Sequence, residues 1–99
     1  MQKSLNDISA DELEEIKKWA ALFYTPKEIA VIQEIDIDAF TDACQQEGSA
    51  IFNAFFGGRL MSESELRTSI IKLAKSGSSP AQTMALDMLN KSKMKMLDR

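Results

Sequence analysis

Four times in 99 residues this chain carries the pattern Ser/Thr-x-x-Glu/Gln. In that pattern a hydroxyl and a carboxylate or amide each satisfy an otherwise unpaired backbone N–H at the start of an α-helix. The pairs are Ser9 with Glu12, Thr25 with Glu28, Ser62 with Glu65 and Ser79 with Gln82. Pro26 and Pro80 stand just inside the second and fourth, at the first helical position, where a missing N–H costs nothing. Ile8, Tyr24 and Met61 precede three of the caps, placed to staple onto Leu13, Ile29 and Leu66.

Apolar spacing agrees with these starts. Leu13, Ile16, Trp19, Ala20 and Phe23 share one helical face, and Ile37, Phe40 and Cys44 follow helical spacing after a cap at Asp36. Ala50, Ile51, Ala54 and Phe55 do the same after Gly48-Ser49, and no strand-like alternation competes. The spacing predicts helices over 10–23, 26–33, 37–46, 50–57, 62–76 and 80–96. Gly57-Gly58 either ends a helix or bends one long helix, and Gly77-Ser78 separates the last two. The expected fold is all-α: one domain over 1–99, with an N-terminal tri-helical, helix-turn-helix-like unit (9–47) and then two or three further helices (49–97). With 44% apolar and 27% charged residues, a compact core is within reach of one such domain. Trp19, Phe23, Phe40, Phe52, Phe55 and Phe56 are the aromatic candidates for that core, Phe56 being the one expected to face a neighbouring chain.

Composition removes several function classes. The chain has no histidine, which excludes catalysis by His, a Cys/His pair or a Ser/His/Asp triad, and the usual zinc sites with it. Its single cysteine, Cys44, has no internal disulfide partner. Gly57-Gly58-Arg59 lacks the Gly-Lys-Ser/Thr ending of a phosphate-binding loop, so no nucleotide is assigned to it. Asp11, Glu12, Glu14 and Glu15 are acids of the kind a helix dipole favours in a first turn, and no calcium-loop pattern accompanies them. The reading is a non-enzyme with no cofactor and no metal. No run of 18 apolar residues occurs, and the N-terminal MQKSLNDISADELEE is acidic rather than signal-like, so a cytoplasmic protein without membrane contact is expected.

The formal net charge of −3 conceals an asymmetry. Residues 1–56 carry four lysines against eleven acids, a net −7, whereas residues 57–99 carry eight cations against four acids, a net +4. If an acidic polymer is bound, the second half is the better electrostatic candidate.

Residues 26–46, PKEIAVIQEIDIDAFTDACQQ, outline a helix-turn-helix: a short helix, a break at Glu34-Ile35-Asp36, and a second helix. Ala30 is small enough for a close crossing, Ile35 plugs the turn and Phe40 anchors the second helix. Glu34 occupies the position that favours glycine, which strains the left-handed turn or shifts it. The same spacing also suits an ordinary packed subdomain. The outward positions of the second helix are Asp38, Ala39, Thr41, Asp42, Gln45 and Gln46, with no lysine or arginine. Thr41 and Gln45 are suited to base edges, but phosphate neutralisation has to come from elsewhere: Lys27 and Arg59 first, then the C-terminal lysines.

With YTPKEIAVIQEIDIDAF at 24–40 and AIFNAFFGGRLMSESELRTSIIKLAKSGSSPAQTMALDML at 50–89, the chain resembles the small subunit of bacteriophage terminase and related phage helix-turn-helix proteins. Ala54, Gly58, Arg59, Leu66, Arg67, Ala74 and Gly77 stand at matching places. The resemblance implies a non-enzymatic DNA-packaging subunit. Such a protein recognises double-stranded viral DNA, assembles as a ring-like homo-oligomer and regulates the large ATPase-nuclease subunit in the host-cell cytoplasm. The acidic second helix departs from a simple DNA reader.

The last predicted helix carries two apolar stripes, one with Met84 and Met88 and another with Leu86, Leu89 and Met96, which is more than one core needs. Phe56, Met84, Met88 and Met96 are the candidate oligomer or partner surface. Lys91, Lys93 and Lys95, with Arg99, form a basic tail that either complements the helix dipole or contacts phosphates. Arg67, four residues after Glu63, fits an i, i+4 ion pair. Two other functions suit the same residues. One is a helical protein–protein adaptor that keeps a degenerate helix-turn-helix as scaffold. The other is a small transcriptional regulator, which predicts a dimer on symmetric half-sites.

Overall fold

At Ser9 the hydroxyl accepts from the Glu12 N–H at 3.1 Å while the Glu12 carboxylate accepts from the Ser9 N–H at 3.2 Å, and the chain turns into its first α-helix. The computed structural model describes residues 4–97. Among them are a short 3-10 turn (Leu5–Asp7) and five α-helices, with no strand: α1 (Ala10–Ala21), α2 (Pro26–Gln33), α3 (Ile37–Gln45), α4 (Ala50–Lys75) and α5 (Ser79–Leu97). The all-α expectation holds.

The capping patterns have mixed outcomes. Thr25 and Glu28 make both reciprocal bonds, at 3.2 and 2.9 Å, and start α2. Ser62-x-x-Glu65 starts nothing, because it lies inside α4, which runs unbroken through Gly57-Gly58. Two separate helices over 50–57 and 62–76 are thus one. The glycines leave the hydrogen-bonded ladder intact, and Leu60 and Met61 beyond them are good helix formers. The last cap is shifted by one residue: Ser78, not Ser79, accepts from the Ala81 N–H at 3.3 Å. Ser49 caps α4, accepting from the Phe52 N–H and donating to the Ala43 carbonyl, each at 3.0 Å, so one hydroxyl joins the end of α3 to the start of α4.

Three helices end in the same way. After α4, Gly77 is left-handed at φ 104°, and the Ser78 and Gly77 N–H groups return to the carbonyls of Leu73 and Ala74. This double return closes a helix on a left-handed residue, usually glycine. After α2 the same pair of bonds runs from Ile35 to Ala30 at 2.9 Å and from Glu34 to Val31 at 3.3 Å, with Glu34 at φ 58°, ψ 47°. The turn expected to strain or shift is therefore strained, not shifted. After α1 it runs from Tyr24 to Trp19 and from Phe23 to Ala20, with Phe23 at φ 68°. Phe23, expected on the core face, instead sits just past the helix end and is 43% exposed. Tyr24, rather than serving only as a staple, meets Trp19 edge-on with ring centroids 5.6 Å apart.

The chain divides into two compact units, one ending at Glu63 and the other beginning at Ser64, with α4 passing from one to the other. The first unit holds a core of Ile16 and Ala20 from α1, Ile29 and Ala30 from α2, Ile35 from the turn, Phe40, Ala43 and Cys44 from α3, and Ile51 and Phe55 from α4. Each large side chain in it stabilises the unit by about 1.5–3 kcal/mol. A buried Gln33 donates to the Glu15 carboxylate at 3.0 Å and so ties α2 to α1. The second unit is a helical hairpin of the end of α4 and α5. Its turn is held by Gln82 Nε2 donating to the Ala74 carbonyl at 3.0 Å, and of its described residues only Ala81 is fully buried.

Candidate nucleic-acid interface

In α3 the division of faces is clean. Phe40, Ala43 and Cys44 point into the core, while Asp38, Thr41, Asp42 and Gln45 share the opposite stripe. Asp38, Asp42 and Gln45 are exposed and Thr41 is half-buried. The turn that aims this helix rests on three buried residues: Ala30, Ile35 and Phe40 are at most 1% exposed. No cation is carried on the stripe, so α3 brings two negative charges to any surface it meets.

The cations assigned to this neighbourhood behave differently from one another. Lys27 is exposed in the first turn of α2 and lines a shallow groove with Tyr24, Glu28, Val31 and Ile32. Arg59 is half-buried: a guanidinium nitrogen donates to the Tyr24 carbonyl at 3.0 Å and the group lies 4.7 Å from the centre of the Phe55 ring. It fastens the α1–α2 turn to α4, and its Nε is buried without a hydrogen-bond partner. The Arg59 charge also reaches Cys44, where it opposes a larger effect: burial pushes the thiol from 9.0 up to about 12.

The C-terminal lysines belong to the hairpin unit. Lys91 and Lys95 line one groove with Arg67 from α4, alongside Asp87, Met88 and Ser92. Lys91 pairs with Asp87 at 3.0 Å, and with both side chains well exposed the pair contributes little to stability. Lys93 and Lys95 are exposed. Arg67, which the sequence pairs with Glu63 at i, i+4, also lines this groove, making it one of three cations around it. Its helical phase relative to a later helix is what brings it there, and spacing within one helix carries no such information. Arg99 lies outside the described residues. Counted by unit, residues 1–63 carry a net −7 and residues 64–99 a net +4.

The residues assigned to a partner surface are largely open. Phe56 is 46% exposed and stacks on Phe52, with centroids 5.3 Å apart. Met84 and Met96 are exposed, and Met88 is half-buried in the basic groove. Unanticipated in the sequence was the outer face of α2, where Val31 is 61% and Ile32 41% exposed. A count of apolar residues in that short helix carries the signal, since Ile29 and Ala30 already fill its inner face.

Among the described residues no group of three or more His, Cys, Asp or Glu side chains is placed to hold a metal ion, and no helix is long and apolar enough to cross a membrane. Comparison with protein-family models, with curated proteins and with solved structures gives no match. The functional reading rests on the residues themselves.

Proposed function

We propose that this chain is a non-enzymatic DNA-packaging protein similar to the small subunit of phage terminase. In this reading it binds double-stranded viral DNA as a homo-oligomer in the host-cell cytoplasm and regulates a large ATPase-nuclease subunit. The observation that carries the reading is the α2–turn–α3 geometry, with Ala30, Ile35 and Phe40 buried and the left-handed residue at Glu34. Those are the positions a DNA-binding helix pair needs. The net +4 of the hairpin unit and its groove of Arg67, Lys91 and Lys95 supply the phosphate contacts that α3 lacks.

Assembly is part of the proposal. A hairpin with one buried residue among those described lacks a core of its own, and its exposed Leu66, Leu73, Met84, Leu86 and Leu89 are covered when copies associate. Linked weak sites raise effective concentration, so a ring of copies binds DNA that a single acidic reader does not hold. The test is mass in solution together with duplex binding across a salt series. An oligomer whose affinity falls steeply with salt is expected, and a strict monomer with salt-independent binding, or none, contradicts the proposal.

The exposed Met84 favours a second reading, a protein adaptor that captures its partner through α5 and keeps α2–α3 as scaffold. Charged residues at positions 84 and 88 distinguish the two: partner capture lost with DNA binding intact supports the adaptor.

A further inference from the structure

The helix α2 carries apolar side chains on its outer as well as its inner side. Ile29 and Ala30 are fully buried inward, while Val31 and Ile32 face outward over a groove of about 350 Å³ lined also by Tyr24, Lys27 and Glu28. Adjacent exposed apolar side chains rimmed by charged ones, here Val31 and Ile32 beside Lys27 and Glu28, mark a contact surface. Next to the groove in sequence, Phe23 is held left-handed at φ 68° with its ring 43% exposed. An aromatic residue in that conformation is strained, and nearly half of its surface stays exposed. Glu28 at the groove, with Glu34 and Asp36 just after α2, belongs to the unit that carries a net −7.

The hairpin unit offers the complement. On α5, Leu86, Leu89, Lys93, Met96 and Leu97 share an exposed stripe that runs beside the side on which Ala81 is buried. That stripe is apolar with a lysine in its middle, and its unit carries a net +4. Contacts between like units would set −7 against −7 or +4 against +4. Contacts between unlike units set opposite charges together, which favours one pairing over the others and speeds encounter.

We infer that the groove on the outer face of α2 receives the Leu86–Leu89–Lys93–Met96 stripe of α5 from a second copy of this chain. This rests on the homo-oligomer of the proposed function and names the surfaces that meet. The contact is head-to-tail, so every copy keeps one free groove and one free stripe, and growth continues until a ring closes or a filament forms.

Two exposed-surface variants test the pairing. Val31→Lys with Ile32→Lys disables the groove, and Leu89→Glu with Lys93→Glu disables the stripe, while helicity by circular dichroism confirms that each folds. Light scattering is expected to give a mass above a dimer for the wild type and a monomer for either variant alone. Self-association should weaken about 100-fold, roughly tenfold for each central position lost. Mixing the two variants is expected to give a heterodimer and nothing larger, because one intact groove meets one intact stripe and both ends are then blocked. A groove variant that assembles like the wild type overturns this pairing and leaves the homo-oligomer standing on other surfaces. A wild type that is strictly monomeric overturns both.

Discussion

Gly58 of α4 lies against the backbone of Lys17 in α1: a Cβ at Gly58 would stand 3.0 Å from the Lys17 carbonyl carbon and closer still to its oxygen. Gly57, one residue earlier, has nothing within 4 Å of the same position. Adjacent glycines in one helix therefore do different things. Alanine at position 58 forces two backbones apart and is expected to destabilise by about 2–3 kcal/mol. Alanine at position 57 removes a helical glycine from open space and should stabilise by up to about 1 kcal/mol. Urea unfolding of both variants checks the pair, and equal effects would refute the close crossing.

Glu34 closes α2 in the left-handed region, which costs a residue with a Cβ about 1–2 kcal/mol. Glu34→Gly is expected to recover up to about 1 kcal/mol, the remainder being lost to glycine's greater freedom in the unfolded chain. Glu34→Val should lose stability, since a branched Cβ fits that region worse. Thermal unfolding in which both substitutions move the midpoint the same way would contradict the assigned turn.

The Gln33–Glu15 bond satisfies a side chain that is 8% exposed. Glu15→Ala leaves the amide without its acceptor and is expected to cost about 1–2 kcal/mol. Adding Gln33→Leu to Glu15→Ala should restore most of that, because the buried polar group is then gone. A double variant as unstable as the single one would show that the loss has another source.

Cys44 sets a pH dependence. Burial, only partly offset by Arg59, raises its thiol from 9.0 to about 12. An acid whose folded-state value is raised keeps its proton in the folded chain after the unfolded chain has lost it. Its contribution is thus fully present below pH 9.0 and is lost as pH climbs toward about 12. The slope approaches about −1.4 kcal/mol per pH unit in that window. Cys44→Ala should flatten the stability profile by that amount relative to the wild type. Identical slopes for the two proteins would mean that the thiol titrates freely.

Helix starts were legible because the signals at Ser9, Thr25 and Asp36 are local: a cap and its partner lie within three residues. Ser62-x-x-Glu65 misleads for the same reason, since a local pattern does not report whether the preceding helix has ended. The role of Gly58 was illegible because it depends on α1 crossing at Lys17, 41 positions away in the sequence. Arg59 shows the limit at the candidate site. Sequence marks a cation near a helix-turn-helix, but only packing reveals that its guanidinium reaches the Tyr24 carbonyl over the face of Phe55. The acidic stripe of α3 was legible in full, because helical phase alone separates Asp38 and Asp42 from Phe40.

The central claim, that the hairpin's cations supply phosphate contacts for a DNA-binding assembly, is tested most directly by the salt dependence of duplex binding. Fluorescence anisotropy between about 50 and 200 mM salt is expected to give a straight log–log plot with a negative slope. Replacing Lys91 and Lys95 by alanine should make that slope shallower by about one for each lysine per bound copy. Duplex binding whose salt slope is unchanged by both substitutions, or a protein that binds no duplex at low salt, would contradict the account.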